Sequence, residues 1–430
     1  MPDAHVPNRH RLRSIVGGSA GNLVEWYDWY AYSAFTLYFA PHFFPSSSPT
    51  MELLKSSLVF AAGFAIRPVG GWLMGVYSDR NGRKAGLALS VTLMCAGSLL
   101  IAATPGYAAI GWGAPALVIV ARLLQGLSVG GEYGASATYL SEIAGRKHRG
   151  FFASFQYVTL VGGQLVALCV LLALQALLSK AALAEWGWRI PFAIGGLLAV
   201  SVFYLRRRLV ESESYLNASR AGTPRSGFWR LLSEHPRETL TVMLLTAGGT
   251  LAFYAYSIYM QKFLVDTSGF SKEVASRISA GTLLVFMCLQ PAVGALSDRI
   301  GRKPLMVAFG VLGTLLTYPI FATLAVTRDP IVAFLIVSGA LVITSGYSAI
   351  SGLVKAEMFP AHIRTLGVAL PYAVANAIFG GTAEPIALWF KAGLHFPQGF
   401  YWYVTATIAA SLIVYATMRD TRAHSLIVED

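Results

Sequence analysis

Glu25 and Asp28 stand three residues apart in GNLVEWYDWYAY, residues 21–32, a stretch otherwise apolar and aromatic. Arg67, Arg122, Glu132, Lys355 and Glu384 sit in equally apolar surroundings. A charge at the centre of a bilayer costs about 2.5–3.5 kcal/mol on insertion scales, so each such group must face a cavity or a partner. The residue types point to two kinds of chemistry. A carboxylate sheltered from water takes up and gives back a proton: burial favours the neutral acid, and a neighbouring guanidinium favours the anion. An arginine grips a carboxylate with two parallel hydrogen bonds, whereas lysine acts as a point charge. Glu25, Asp28 and Glu132 are therefore candidates for proton coupling. Arg67, Arg122 and Lys355 are candidates for holding an anion, and a dicarboxylate could bridge from an arginine to Lys355. Glu384, like Glu132, is a rival to the helix 1 acids for the proton; in the competing reading, the arginines only neutralise the acids, and these two glutamates sit in permanent Glu–Arg pairs.

These charges need elements that carry them through an apolar medium, and the composition supplies them. The chain has 430 residues, 55% hydrophobic and 13% charged, with a mean hydropathy of +0.57; soluble domains carry about 25% charged residues. Apolar runs of bilayer-spanning length are expected at 15–39, 53–77, 85–104, 115–140, 151–178, 188–207, 238–264, 273–296, 304–325, 330–357, 363–392 and 398–418. The expected fold is an all-α membrane protein of twelve transmembrane helices. A polar segment, 208–237, separates two bundles at 15–207 and 238–418, with flanking segments 1–14 and 419–430. The net charge of +12 does not point to nucleic acid, because the basic residues cluster in alternate loops. Such clustering is the positive-inside signature and places both termini in the cytoplasm. The first apolar run is long and lacks a small-residue cleavage site, so it reads as a retained helix. Cys95, Cys169 and Cys288 lie far apart inside apolar runs, which indicates neither disulfides nor zinc.

The two bundles repeat each other. GVYSDRNGRK at 75–84 returns as GALSDRIGRK at 294–303, so Asp79 and Arg83 correspond to Asp298 and Arg302. Glu142 and Arg149 return as Glu357 and Arg364 with the same spacing. Two six-helix, pseudo-symmetric halves follow, an arrangement typical of secondary transporters. Helical spacing groups polar residues into stripes: Asn22, Glu25, Asp28 and Tyr32 on helix 1; Arg122, Gln125, Glu132 and Ser136 on helix 4; Thr250, Tyr254, Ser257 and Gln261 on helix 7; and Ser348, Ser351 and Lys355 on helix 10. Gly126, Gly130 and Gly134 form a separate small-residue ridge for close helix packing.

The loop pattern G-x-x-x-D-R-x-G-R-K in both halves, with RLLQGLSVGGEY at 122–133, resembles the major facilitator superfamily. GNLVEWYDWYAY, FAIRPVGGWLMG, FFASFQYVTLVGGQL, EWGWRIPF and LVKAEMFP resemble its metabolite:proton symporters over nearly the whole chain. The resemblance implies a cavity lined by helices 1, 4, 7 and 10, with Tyr254 and Gln164 joining Arg67, Arg122 and Lys355 at the substrate. It implies a bacterial inner-membrane symporter, working as a monomer, whose partners are protons and a small anionic metabolite, α-ketoglutarate foremost. Citrate, shikimate or a zwitterionic osmolyte are the alternatives. It also implies a cytoplasmic gate formed by Asp79, Arg83, Glu142, Arg149, Asp298, Arg302, Glu357 and Arg364, expected as weak surface ion pairs. No cofactor is expected. An enzyme is not expected either, because GGSAG at 17–21 opens a membrane helix and lacks the strand–turn–helix context of a nucleophile elbow.

Overall fold

The computed structural model of the chain describes residues 8–46, 48–81, 83–130, 132–142, 145–207 and 227–427, and every regular element among them is helical. The spans of the first half are α1 (Asn8–Phe43), α2 (Pro49–Ala65, resuming as Arg67–Asn81), α3 (Arg83–Ala103), α4 (Gly113–Val129, resuming as Glu132–Glu142), α5 (Arg149–Leu177) and α6 (Ile190–Arg207). Those of the second half are α7 (Pro236–Phe253, a π turn Tyr254–Tyr259, then Met260–Asp266), α8 (Lys272–Ile300), α9 (Lys303–Val326), α10 (Pro330–Ser348, resuming as Ser351–Glu357), α11 (Arg364–Ala375, a π turn Asn376–Gly380, then Ala383–Ala392) and α12 (Gln398–Thr417). Several of these stretches are singly long and apolar enough to cross a bilayer, among them Arg149–Leu177 and Lys272–Ile300. Of the expected linker 208–237, the described part is 227–237, which contains a short helix, Phe228–Glu234.

Packing repeats with the sequence. α3 lies on α6 as α9 lies on α12, α1 on α5 as α7 on α11, and α2 on α4 as α8 on α10. The halves meet where α5 crosses α8 and α2 crosses α11, a pair of contacts related by the same six-helix shift. The glycine ridge of α4 makes the central approach possible. A Cβ on Gly126 would strike the Gly63 carbonyl of α2, one on Gly130 the Arg67 carbonyl, and one on Gly134 Ala369 of α11. The ridge therefore joins α4 to its own half and to the other, and it seats α4 against the backbone of Arg67.

Three breaks alter the expected stripes. Pro68 has no N–H to continue the ladder, and α2 breaks at Ile66, just before Arg67. The π turns of α7 and α11 face each other: a Cβ on Gly380 would lie 2.9 Å from Thr250 Cγ2 and Tyr254 Cε2. Each π turn shifts the helical register locally, and the helix-7 stripe does not survive as a lining. Ser257 Oγ turns back to the Phe253 carbonyl, and Gln261 bonds Ser276 of α8. On α10, the break at 349–350 separates Ser348 from Lys355, and Ser348 donates to Gln290 of α8, 2.8 Å away. The Ser257 bond stays within α7, and the Gln261 and Ser348 bonds are ordinary helix–helix contacts.

Candidate functional site

A small cavity lies between the halves, lined by Asn22, Glu25 and Trp26 of α1, Arg67 of α2, Val129, Gly130 and Tyr133 around the α4 break, and Ala369, Tyr372 and Ala373 of α11. Arg67 is 3% exposed, and its guanidinium lies 4.0 Å from the Phe64 ring centroid and 4.1 Å from that of Trp29. Its Nε and Nη2 have no hydrogen-bond acceptor among the described protein atoms. A buried guanidinium held by aromatic faces with free donors is suited to an anion that arrives with its own oxygens. Asn22 is fixed by a 2.9 Å bond from Nδ2 to Thr159 Oγ1 of α5. Tyr254 lies beside Arg67 and Asn376, its ring edge-on to Phe64 at 5.3 Å. Gln164 on α5 is fully buried, and neither its amide oxygen nor its nitrogen has a hydrogen-bond partner.

Arg122 and Asp28 form a second cluster, separated from Arg67 by the indole of Trp29. The Arg122 guanidinium is 3.8 Å from that ring centroid and 4.6 Å from the ring of Tyr32. Arg122 donates to Gln125 Oε1 at 2.7 Å, and Gln125 Nε2 donates to Asp28 Oδ2 at 2.6 Å. Ser98 also donates to Asp28. Arg122 and Asp28 thus communicate through a glutamine and lie outside the lining of the cavity, whereas Glu25 and Arg67 line it together.

Lys355 stands in a cage of three tyrosines. Its Nζ is 3.4 Å from the hydroxyls of Tyr133 and Tyr347 and 4.5 Å from the ring centroid of Tyr372. Tyr133 and Tyr372 come from opposite halves and stack with centroids 3.5 Å apart and planes 8° apart. Both rings line the cavity and Lys355 does not, so the stacked pair screens the ammonium from it.

Glu384 pairs with a lysine, not an arginine. Lys262 Nζ donates to Glu384 Oε2 at 2.5 Å and to Ser33 Oγ of α1 at 2.7 Å. All three are buried. Lys262 reads as a helix-edge residue in the sequence, but the helix runs on to Asp266 and carries it a full turn inside. No local signal reveals that its counter-charge lies on α11.

The gate residues gather at the end of the bundle that carries the α2–α3 and α8–α9 loops, here the basic end. Glu142 Oε1 accepts from Arg364 Nη1 at 2.5 Å, which ties α4 to α11. Asp298 accepts from the backbone N–H groups of Gly150 and Phe151 at 2.8 and 3.0 Å, which places an α8 carboxylate on the N-terminus of α5. Arg302 bonds Asp298 at 3.1 Å and Glu357 at 3.4 Å. Arg149 donates to the Ile427 carbonyl. The expected weak surface pairs are in part buried: Arg302, Glu357 and Arg364 are at most 2% exposed, whereas the Glu142 side chain stays 35% exposed at the rim. Asp79, Arg83 and Glu132 lie on described helices, but their side chains fall outside the described set. At the opposite end, Thr50 bonds Asp266 at 2.9 Å, and Lys272 bonds the Leu37 carbonyl at 2.5 Å, so the halves also touch there. Arg189 of EWGWRIPF is structural. It donates to the carbonyls of Ala102 and Thr104 at 2.7 and 2.8 Å, covering the C-terminus of α3.

The family profile described as "Sugar (and other) transporter" matches residues 15–222 and 217–428. The chain belongs to the sugar (and other) transporter family. It is 53% identical over 407 residues to the alpha-ketoglutarate permease of Escherichia coli (strain K12), covering 94% of this chain and 93% of that one. Identity to the citrate-proton symporter of Salmonella typhi is 34% over 393 residues, 89% of each chain. Among solved structures, a D-xylose-proton symporter superposes with a TM-score of 0.76 at 20% identity, covering 96% of this chain and 99% of that one. The transporter therefore has the two-half, twelve-helix major facilitator fold and is a multi-pass membrane protein, not an enzyme.

Proposed function

We propose that this transporter imports a small dicarboxylate, α-ketoglutarate before others, together with protons. The observation that carries the proposal is the cavity between the halves. There Arg67, a buried guanidinium with two free donors, faces the same space as the carboxylic acid of Glu25. An anion site beside a proton-binding group is what an anion:proton symporter requires. The full-length similarity to the Escherichia coli permease supports the choice of cargo.

In this proposal Arg67 takes one carboxylate, aided by Tyr254 and Gln164. Lys355 takes the other once Tyr133 and Tyr372 part. Arg122 alternates between the Asp28–Gln125 cluster and the substrate, so that substrate binding changes the proton affinity of Asp28. Glu25 and Glu132 are the other candidate carriers. The basic end faces the cytoplasm of a bacterial cell together with both ends of the chain, from the inner membrane, and the gate opens to that side. The working unit is one chain, divided as 1–14, 15–207, 208–237, 238–418 and 419–430. A dianion entering an inside-negative cell works against the potential twice over, about 2.3 kcal/mol per charge per 100 mV, and co-transported protons offset this.

The test is uptake of radiolabelled α-ketoglutarate into proteoliposomes under an imposed inward proton gradient. Accumulation that collapses with an uncoupler, and that unlabelled α-ketoglutarate suppresses more strongly than citrate, shikimate or betaine, is the expected result. Uptake indifferent to the gradient, or suppressed best by betaine, would overturn it.

A further inference from the structure

Residues 418–427, which follow α12, run across the closed basic end and touch the gate at four of its charged positions. Asp420 accepts from the first backbone N–H groups of α9, at Arg302 and Lys303. Thr421 Oγ1 donates to Glu357 Oε2 at 2.5 Å, and Leu426 N–H donates to the Glu357 carbonyl at 2.9 Å. Arg364 donates to the Leu426 carbonyl at 2.9 Å. These contacts belong to the second half. The next residue crosses over: the Ile427 carbonyl accepts from Arg149 of α5 at 3.1 Å.

The Ile427 side chain is 4% exposed and belongs to a small apolar cluster set apart from the main core. That cluster holds Tyr133, Ala137 and Ala153 of the first half and Leu353, Ala356, Val368 and Tyr372 of the second. Ile427 therefore shares one cluster with the stacked Tyr133–Tyr372 pair that lines the cavity. An aliphatic side chain packed against both halves adds to closure only while they are together. Separating the halves at this end would expose Ile427 or break its contacts with one of them.

We propose that residues 418–427 are the bolt of the basic-end gate: Ile427 locks the closed state, and its withdrawal precedes release of cargo past Tyr133 and Tyr372. The segment is hinged on the second half through Asp420, Thr421 and Leu426, and it lets go of the first half at Arg149 and the Ile427 pocket.

Two measurements decide the matter, in a background with Cys95, Cys169 and Cys288 replaced by serine. The first is Ala153→Cys with Ile427→Cys; Ala153 lies one turn beyond Arg149 on α5. Oxidation should cross-link the pair and stop uptake, and reduction should restore it. Failure of the resting protein to cross-link, or uptake by the cross-linked protein at the reduced rate, would overturn the proposal. The second is Ile427→Asp combined with a reporter, Ala369→Cys, in the cavity wall. Labelling of the reporter by an impermeant maleimide from the basic side should rise about tenfold, the population shift that loss of one buried aliphatic side chain gives. Ile427→Leu should label as the parent does. Unchanged labelling in a normally expressed Ile427→Asp protein would overturn the bolt. Should that variant fail to express, the cross-link decides alone. Cross-linking and labelling need no knowledge of the cargo, so a wrong substrate would leave both intact and abolish only the parent's uptake.

Discussion

Arg67 and Arg122 show how little a residue's type says about its role. Both are buried arginines that pack on the Trp29 ring, yet one lines the cavity and the other is tied through Gln125 to Asp28. Arg67 is placed by its backbone: the Pro68 break on one side and Gly130 on the other hold its carbonyl against α4. Its side chain then needs only aromatic faces to fill the cavity wall. Arg67→Lys keeps the charge and loses the planar fork that can take a carboxylate with two bonds. We expect the KM for dicarboxylate uptake to rise at least tenfold, roughly the 1.4 kcal/mol of one charge-assisted bond, with protein yield unchanged. Uptake kinetics of the variant in proteoliposomes check this.

Helix approach is what turns separate charges into a site. The α4 glycines let that helix touch α2 at Gly126 and Gly130 and α11 at Gly134, so one ridge serves both halves. At Gly130 a methyl group would meet the Arg67 carbonyl and the Gly71 backbone nitrogen, neither of which can move aside as a flexible side chain would. Gly130→Ala should therefore cost about 1–3 kcal/mol of stability and lower uptake together with it. Thermal unfolding of the detergent-solubilised protein measures the first effect. Gly339, inside α10 with nothing within 4 Å of an added Cβ, is the control position, and alanine there should not lower the melting temperature. The π turns shape the approach of α7 to α11. They widen single turns of α7 and α11 just where these helices face each other, and they turn Ser257 and Gln261 to structural partners.

Considered as two halves, the transporter is joined at both ends by buried or half-buried polar contacts. Lys262, Glu384 and Ser33 join α7, α11 and α1, while Glu142–Arg364 and Asp298 on the start of α5 join the halves at the basic end. Breaking a buried ion pair from one side leaves a charge uncompensated, whereas removing both partners does not. Lys262→Met should destabilise the protein by about 3–5 kcal/mol, and Lys262→Met with Glu384→Met should recover most of that loss. Thermal melts of the single and double variants read this directly. A double variant no more stable than the single one would mean that the pair does not act as a unit.

Much of this architecture was legible in the sequence, because hydrophobic runs and repeats are local properties. A span must be apolar wherever it packs, so the twelve spans emerge from composition, although their ends do not: α1 starts at Asn8 against an expected 15, and α2 runs to Asn81 against 77. The matched loops at Asp79 and Asp298 expose the duplication because a ten-residue pattern returns at the same place in each half. The inventory of buried charges was equally plain, since a charge in an apolar run stands out. Their partners were not. Lys262 and Glu384 are 122 positions apart, and Asp28 and Gln125 are 97; nothing in either neighbourhood encodes the other. Constant helical spacing also misled where π turns and helix breaks changed the register of α7 and α10. The docking of Ile427 was invisible for the same reason: a short segment after the last span carries no periodicity, and only the closed surface made jointly by both halves buries Ile427 while its neighbour Leu426 stays exposed. Pairing across long chain separations is decided by packing, and packing exists only in the folded molecule.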